Sequence, residues 1–108
     1  SQFIIKSSEE AYQTVFLNLK KELASLVSEI INGQYALDLY EKELLKESND
    51  AFQDAKTFYL KGELKMIDYL DAQRTSLDVK MEYLETKKAL ALARTDLNLL
   101  IGSTVTGK

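Results

Sequence analysis

Residues 58–74 read FYLKGELKMIDYLDAQR, and the apolar pattern changes phase across this stretch. Upstream, a stripe runs Tyr12, Phe16, Leu19, Leu23, Leu26, Ile30, Gly33, Leu37, Tyr40, Leu44, then Ala51, Ala55 and Phe58. Its steps alternate between four and three, which is a helix signal close to a heptad repeat. Glu47 is the one charged slot. The stripe ends at Phe58 and a new one begins at Ile67. Between them lies Gly62, which can take the left-handed conformation that ends a helix. Asp68 then falls in the first turn of the next helix, where the partial positive charge of the N-terminus favours a carboxylate. A phase break, a glycine and an early acid together predict a turn.

The chain has 108 residues and contains no proline, cysteine, histidine or tryptophan. Without proline, very long helices are permitted. The pattern predicts an all-α, coiled-coil-type antiparallel hairpin: a helix over about 7–60, a tip over about 61–66 and a helix over about 66–101. At ~1.5 Å per residue the two helices measure about 80 Å and about 50 Å, which leaves about 20 residues of the first without a partner. Asn32-Gly33 is a turn-like pair, yet the stripe passes through it in phase, so it reads as a weak point or a site of close approach. Gly102 is expected to cap the second helix, followed by a polar tail over 102–108.

The second half carries two stripes. One is Ile67, Leu70, Leu77, Met81, Leu84 and Ala91, interrupted by Arg74 and Lys88. The other, out of phase with it, is Tyr69, Ala72, Ser76, Val79, Tyr83, Leu90, Ala93, Leu97 and Leu100. Neighbouring residues lie ~100° apart around a helix, so two stripes mean two apolar seams. The first half has a weaker second seam in Val15, Val27, Ile31, Leu45, Phe52 and Tyr59. Two seams per helix suit a bundle or a curved wall of helices, in which each helix has a neighbour on either side.

Composition restricts the chemistry. Without Cys or His there is no thiol nucleophile, no imidazole base and no ordinary zinc site. Di-metal sites of helix bundles use a Glu-x-x-His pattern, which the chain cannot supply. No cofactor or metal is expected, and the chain is not expected to be an enzyme. The formal net charge is −3 with both signs interspersed, which argues against nucleic acid as a partner. No apolar run approaches the ~20 residues of a membrane-spanning helix.

The tip carries a family resemblance. Tyr59-x-x-Gly62, followed by Asp68-Tyr69-Leu70-Asp71-Ala72-Gln73-Arg74-Thr75, resembles the signature of the TolC-like outer-membrane efflux protein family. Leu77, Tyr83-Leu84 and Ala93-Arg94 to Leu99-Leu100-Ile101-Gly102 are similar to that family's returning helix. Upstream, Leu39-Tyr40-Glu41-Lys42-x-Leu44-Leu45 resembles the descending helix of heavy-metal-type members, with Lys46 where a proline usually follows. The resemblance covers about residues 20–102. One departure sits at the tip, where Lys65 replaces a Ser or Thr that could cap the second helix.

The resemblance implies the second periplasmic hairpin of a trimeric outer-membrane channel for tripartite efflux or type I secretion, the chain being one fragment of its α-barrel. The implied partners are the other copies in the homotrimer, a periplasmic adaptor protein and an inner-membrane transporter, with no direct membrane contact by this segment. Asp68 and Asp71 would line the closed entrance. As a ring of carboxylates around a three-fold axis they would attract cations. Tyr59, Gly62 and Arg74 would form the gate, and Leu60, Lys61, Gly62, Glu63 and Leu64 would dock the adaptor. The plainer alternatives are dipole complementation for Asp68, a solvated acid paired with Arg74 for Asp71, and a hydrophobic staple for Tyr59. The alternative functions are the hairpin of a periplasmic adaptor and a generic structural coiled coil.

Overall fold

The structure, a computed structural model, describes residues 2–106, with side chains for residues 4–105. Helix α1 spans Gln2–Leu39, a π-helical turn comes next at Tyr40–Leu44, α2 spans Leu45–Leu60 and α3 spans Met66–Thr106. The first three elements form one continuous rod, because Leu39, Leu44 and Leu45 all keep right-handed helical dihedrals at the junctions. The rod folds back once, giving an all-α hairpin with extents of 86 × 23 × 17 Å.

Both helices run further than the sequence pattern predicts. The first begins at Gln2 rather than near residue 7, and the second continues to Thr106 rather than ending near 101. Gly102 is therefore not a cap. Gly62 is the glycine with positive φ among the described residues, and Gly102 stays helical. A glycine inside a helix costs only ~1 kcal/mol relative to alanine, and no proline comes after it to stop the helix. Thr104 also accommodates the helix by donating its hydroxyl to the Leu100 carbonyl at 2.8 Å. Residues 107–108 of the expected polar tail lie outside the described residues.

The two apolar stripes of α3 have different fates. Tyr69, Ala72, Ser76, Val79, Tyr83, Leu90, Ala93, Leu97 and Leu100 are half-buried or buried and face the rod. Ile67, Leu70, Leu77, Met81 and Leu84 are exposed, Leu84 at 61%. The core is thin: Ser76, Leu90 and Ala93 are the buried side chains among the described residues. Two helices alone cannot enclose a seam, so the remaining contact residues stay half open to solvent.

On the rod, the buried line crosses from one predicted stripe to the other. Leu19, Leu26, Ile30, Gly33, Leu37, Tyr40 and Leu44 lead into the π-turn. After it the line continues as Leu45, Ser48, Phe52, Ala55 and Tyr59, while Glu47, Ala51 and Phe58 point outward. A π-turn inserts one extra residue into a helix, which re-phases the downstream residues by ~100°. The crossing explains why a stripe drawn straight through the sequence meets the charge of Glu47.

Gly33 lies inside α1 and admits α3. A Cβ at this position would meet Leu90 Cδ1 at 3.2 Å and Leu90 Cβ at 3.6 Å, so close approach is the role of the Asn32-Gly33 pair. At the open end, Phe16, Leu19 and Leu23 line a groove with Leu100, Ile101 and Val105. Because α3 runs on to Thr106, the unpaired part of α1 is shorter than predicted and lies before Phe16. There Ile4, Ile5, Tyr12 and Val15 are exposed.

Substitutions at two glycines should separate in sign. Gly33→Leu overpacks the Leu90 contact and should destabilise the hairpin by about 1–3 kcal/mol. Gly102→Ala meets open space and should stabilise it by up to ~1 kcal/mol. Thermal unfolding measured by far-UV circular dichroism checks both.

Candidate functional site at the hairpin tip

The tip is set by the backbone. Helix α2 ends in a Schellman arrangement: Gly62 N–H donates to the Tyr59 carbonyl at 3.0 Å and Glu63 N–H to the Phe58 carbonyl at 2.9 Å. Gly62 takes φ +76° to make this possible, a conformation that costs a residue with a Cβ roughly 1–2 kcal/mol. The returning helix starts at Met66, with the Lys65 carbonyl accepting from Asp68 N–H and Tyr69 N–H at 3.1 Å each. Lys65 thus fills the capping position with its backbone, although its side chain cannot accept a hydrogen bond. Asp68 lies in the first turn of α3, where its carboxylate complements the helix dipole.

Beneath the turn an aromatic ladder closes the seam. The Tyr59 and Tyr69 rings stack at 4.9 Å between centroids, 9° from parallel. Phe52 extends the stack on Tyr69 at 5.8 Å and 26°. Such pairs contribute about 0.5–1.5 kcal/mol beyond area burial. Tyr59 is therefore half-buried as a staple of the tip within its own hairpin.

The other expected site residues are divided by exposure. Asp68, Asp71 and Arg74 are exposed on α3, the two acids three residues apart and so on neighbouring parts of one face. Leu60 is 73% exposed, and Lys61, Gly62 and Glu63 are exposed beside it. Leu64 differs from the expectation of a fully presented tip. It is half-buried, within the turn that joins Gly62 to Met66.

A second polar arrangement sits at mid-length, where the π-turn begins. The Tyr40 hydroxyl donates to Glu82 Oε2 at 3.0 Å, and the Tyr83 hydroxyl donates to Glu41 Oε1 at 2.9 Å. Each helix thus supplies one tyrosine and one glutamate, and the bonds cross the seam in opposite directions. The two rings lie 6.2 Å apart, and Lys87 Nζ sits 5.2 Å from the Tyr83 ring centroid. Next along the hairpin, Arg94 Nη2 donates to Gln34 Oε1 at 2.6 Å, and Gln34 Nε2 donates to Asp38 Oδ1 at 3.0 Å. The sequence carries this signal as adjacent Tyr-Glu and Glu-Tyr pairs at 40–41 and 82–83. Their register can be matched only once the extra residue of the π-turn is known.

The hydrogen bond to the Glu82 carboxylate holds the Tyr40 phenol above its ordinary pKa, helped by desolvation and by the charges of Glu82 and Glu85. No group of three or more acidic side chains among the described residues is placed to hold a metal ion, and no described helix is long and apolar enough to cross a membrane. Comparison with known proteins found no matching family model, no matching curated protein and no matching solved structure.

The clasp should be visible on titration. Because folding raises the Tyr40 pKa, its stabilising effect is complete below the ordinary tyrosine value near ~10 and is lost as pH rises through the folded value. Helicity should fall on the alkaline side, and ultraviolet difference absorbance should show the Tyr40 phenol ionising above its ordinary value. In Tyr40→Phe the late-ionising phenol should be missing.

Proposed function

We propose that the chain is a wall hairpin of a trimeric, TolC-like outer-membrane channel, with its tip at the periplasmic entrance. One observation carries this reading. The hairpin fills only one of its two seams internally and leaves an apolar line on the outside of α3, from Ile67 and Leu70 past Arg74 to Leu77, Met81 and Leu84. On the rod, Val27 and Ile31 are likewise uncovered. An element with apolar lines on both helices suits a wall in which hairpins stand side by side. The block Leu70-Asp71-Ala72-Gln73-Arg74 fits such a tip: Ala72 packs in the seam while Asp71 and Arg74 face out. The mechanism is passive. Contacts between neighbouring tips close the passage, exposed Leu60 and its charged neighbours dock an adaptor, and engagement of adaptor and inner-membrane transporter opens it.

Two measurements test this. In the parent channel, Asp68→Ala with Asp71→Ala should weaken cation block and cation selectivity in planar bilayers. Unchanged conductance would remove these residues from the entrance. The 108-residue chain should self-associate with rising concentration in sedimentation equilibrium, and Leu77→Glu with Leu84→Glu should abolish this while helicity is kept. A clean monomer at high concentration would count against a wall element.

A further inference from the structure

We propose that α2 has two seatings against α3, separated by one residue of helical phase, and that the π-turn at Tyr40–Leu44 is the joint between them. Both seatings rest on the fold alone, whether or not the chain comes from a channel wall.

The observed seating uses Leu45, Ser48, Phe52, Ala55 and Tyr59. The residues one position earlier form a second line, Leu44, Glu47, Ala51 and Phe58, with Ala55 able to serve either. This second line is the direct continuation of Ile30, Gly33, Leu37 and Tyr40, so an uninterrupted α-helix would present it to α3. It is apolar except for Glu47, with Asp54 at its edge. Phe58 is 46% exposed, a large apolar side chain lying beside the seam. The two lines are ~90–100° apart. Dissolving the π-turn would therefore rotate α2 by about a quarter turn, drawing Phe58 in and turning Tyr59 out. Neighbouring packing arrangements of this kind are discrete rather than continuous, because side chains interlock in one set of gaps or the next.

Two features hold the observed seating. Glu47 cannot enter the seam without losing its hydration. At the joint, Tyr40 and Glu41 are tied across to Glu82 and Tyr83. A π-turn is less favourable than the α-helix it replaces and persists where something retains it. Here the clasp and the single charge retain it. The fold consequently holds a rotary element at its closed end. The tip residues Tyr59 and Leu60 change which way they face while α3, whose seam steps by three and four without a fault from Tyr69 to Leu100, stays as it is.

Moving the charge by one residue tests this. Phe58→Trp supplies the only tryptophan in the chain and reports its own burial. In that background Glu47→Leu with Ser48→Glu places the acid in the line used by the observed seating. The indole emission should then shift to shorter wavelength and its quenching by acrylamide should fall, with far-UV circular dichroism still helical. Deleting Lys42 from the Phe58→Trp background alone removes the extra residue, so a plain α-helix keeps Tyr59 inward and the emission should not move. An unmoved emission on moving the charge, with helicity retained, would overturn the proposal, as would a blue shift on deleting Lys42. A collapse of helicity on moving the charge would also overturn it, because the second line would then be unable to hold α2 on α3.

Discussion

The hairpin depends on keeping one apolar line between two helices whose residues do not count in step. Helix α3 carries a faultless heptad line. The descending rod carries one residue too many to match it. A regular α-helix would spend that residue by rotating Glu47 into the seam and Phe52 out of it. The π-turn takes up the residue locally instead, and the line continues. The stacked Phe52, Tyr69 and Tyr59 rings beneath the tip, the placement of Tyr59 and the outward positions of Glu47 and Phe58 all depend on that one correction.

Much of this architecture is readable from the residues. The phase break around Gly62 and the early acid at Asp68 locate the turn, and the structure adds the paired backbone bonds that close it. Gly33 is readable as a close approach because a stripe passes through it. The presence of two seams is readable too, but not which of them α3 uses inside its own hairpin. Periodicity reports where apolar residues line up and says nothing of what they meet. On α3 the line containing small residues, Ala72, Ser76 and Ala93, goes inward because two rods approach closely only across short side chains. The line with the longer Leu77, Met81 and Leu84 is left outside. The helix ends differ from the pattern for a related reason: Gly102 resembles a stop signal, but a glycine ends a helix only when the chain beyond it has somewhere else to go.

The candidate site is legible in part. Asp68, Asp71, Arg74 and the loop around Gly62 are exposed at the closed end. Tyr59 is tied within its own hairpin rather than presented outward, because the π-turn rotates it into the seam. The bonds of Tyr40 to Glu82 and of Tyr83 to Glu41 have no signature in the apolar stripes. They belong to a pairing register that only the inserted residue makes visible. With so few side chains fully enclosed, these edge bonds and the tyrosine stack provide much of the specificity of the pairing. A two-helix seam contributes apolar attraction but little that distinguishes one register from the next.

The π-turn also has a meaning for how such a chain can vary by descent. In form it is a single extra codon, absorbed where two tyrosine–glutamate bonds pin both sides of the seam. A lineage lacking that codon would have a plain helix and the same partners below it. The same gain or loss between Ser48 and Tyr59 would re-face every residue down to the turn. Single-residue length differences among descendants of this chain should therefore gather at residues 40–44 and be rare between there and the tip.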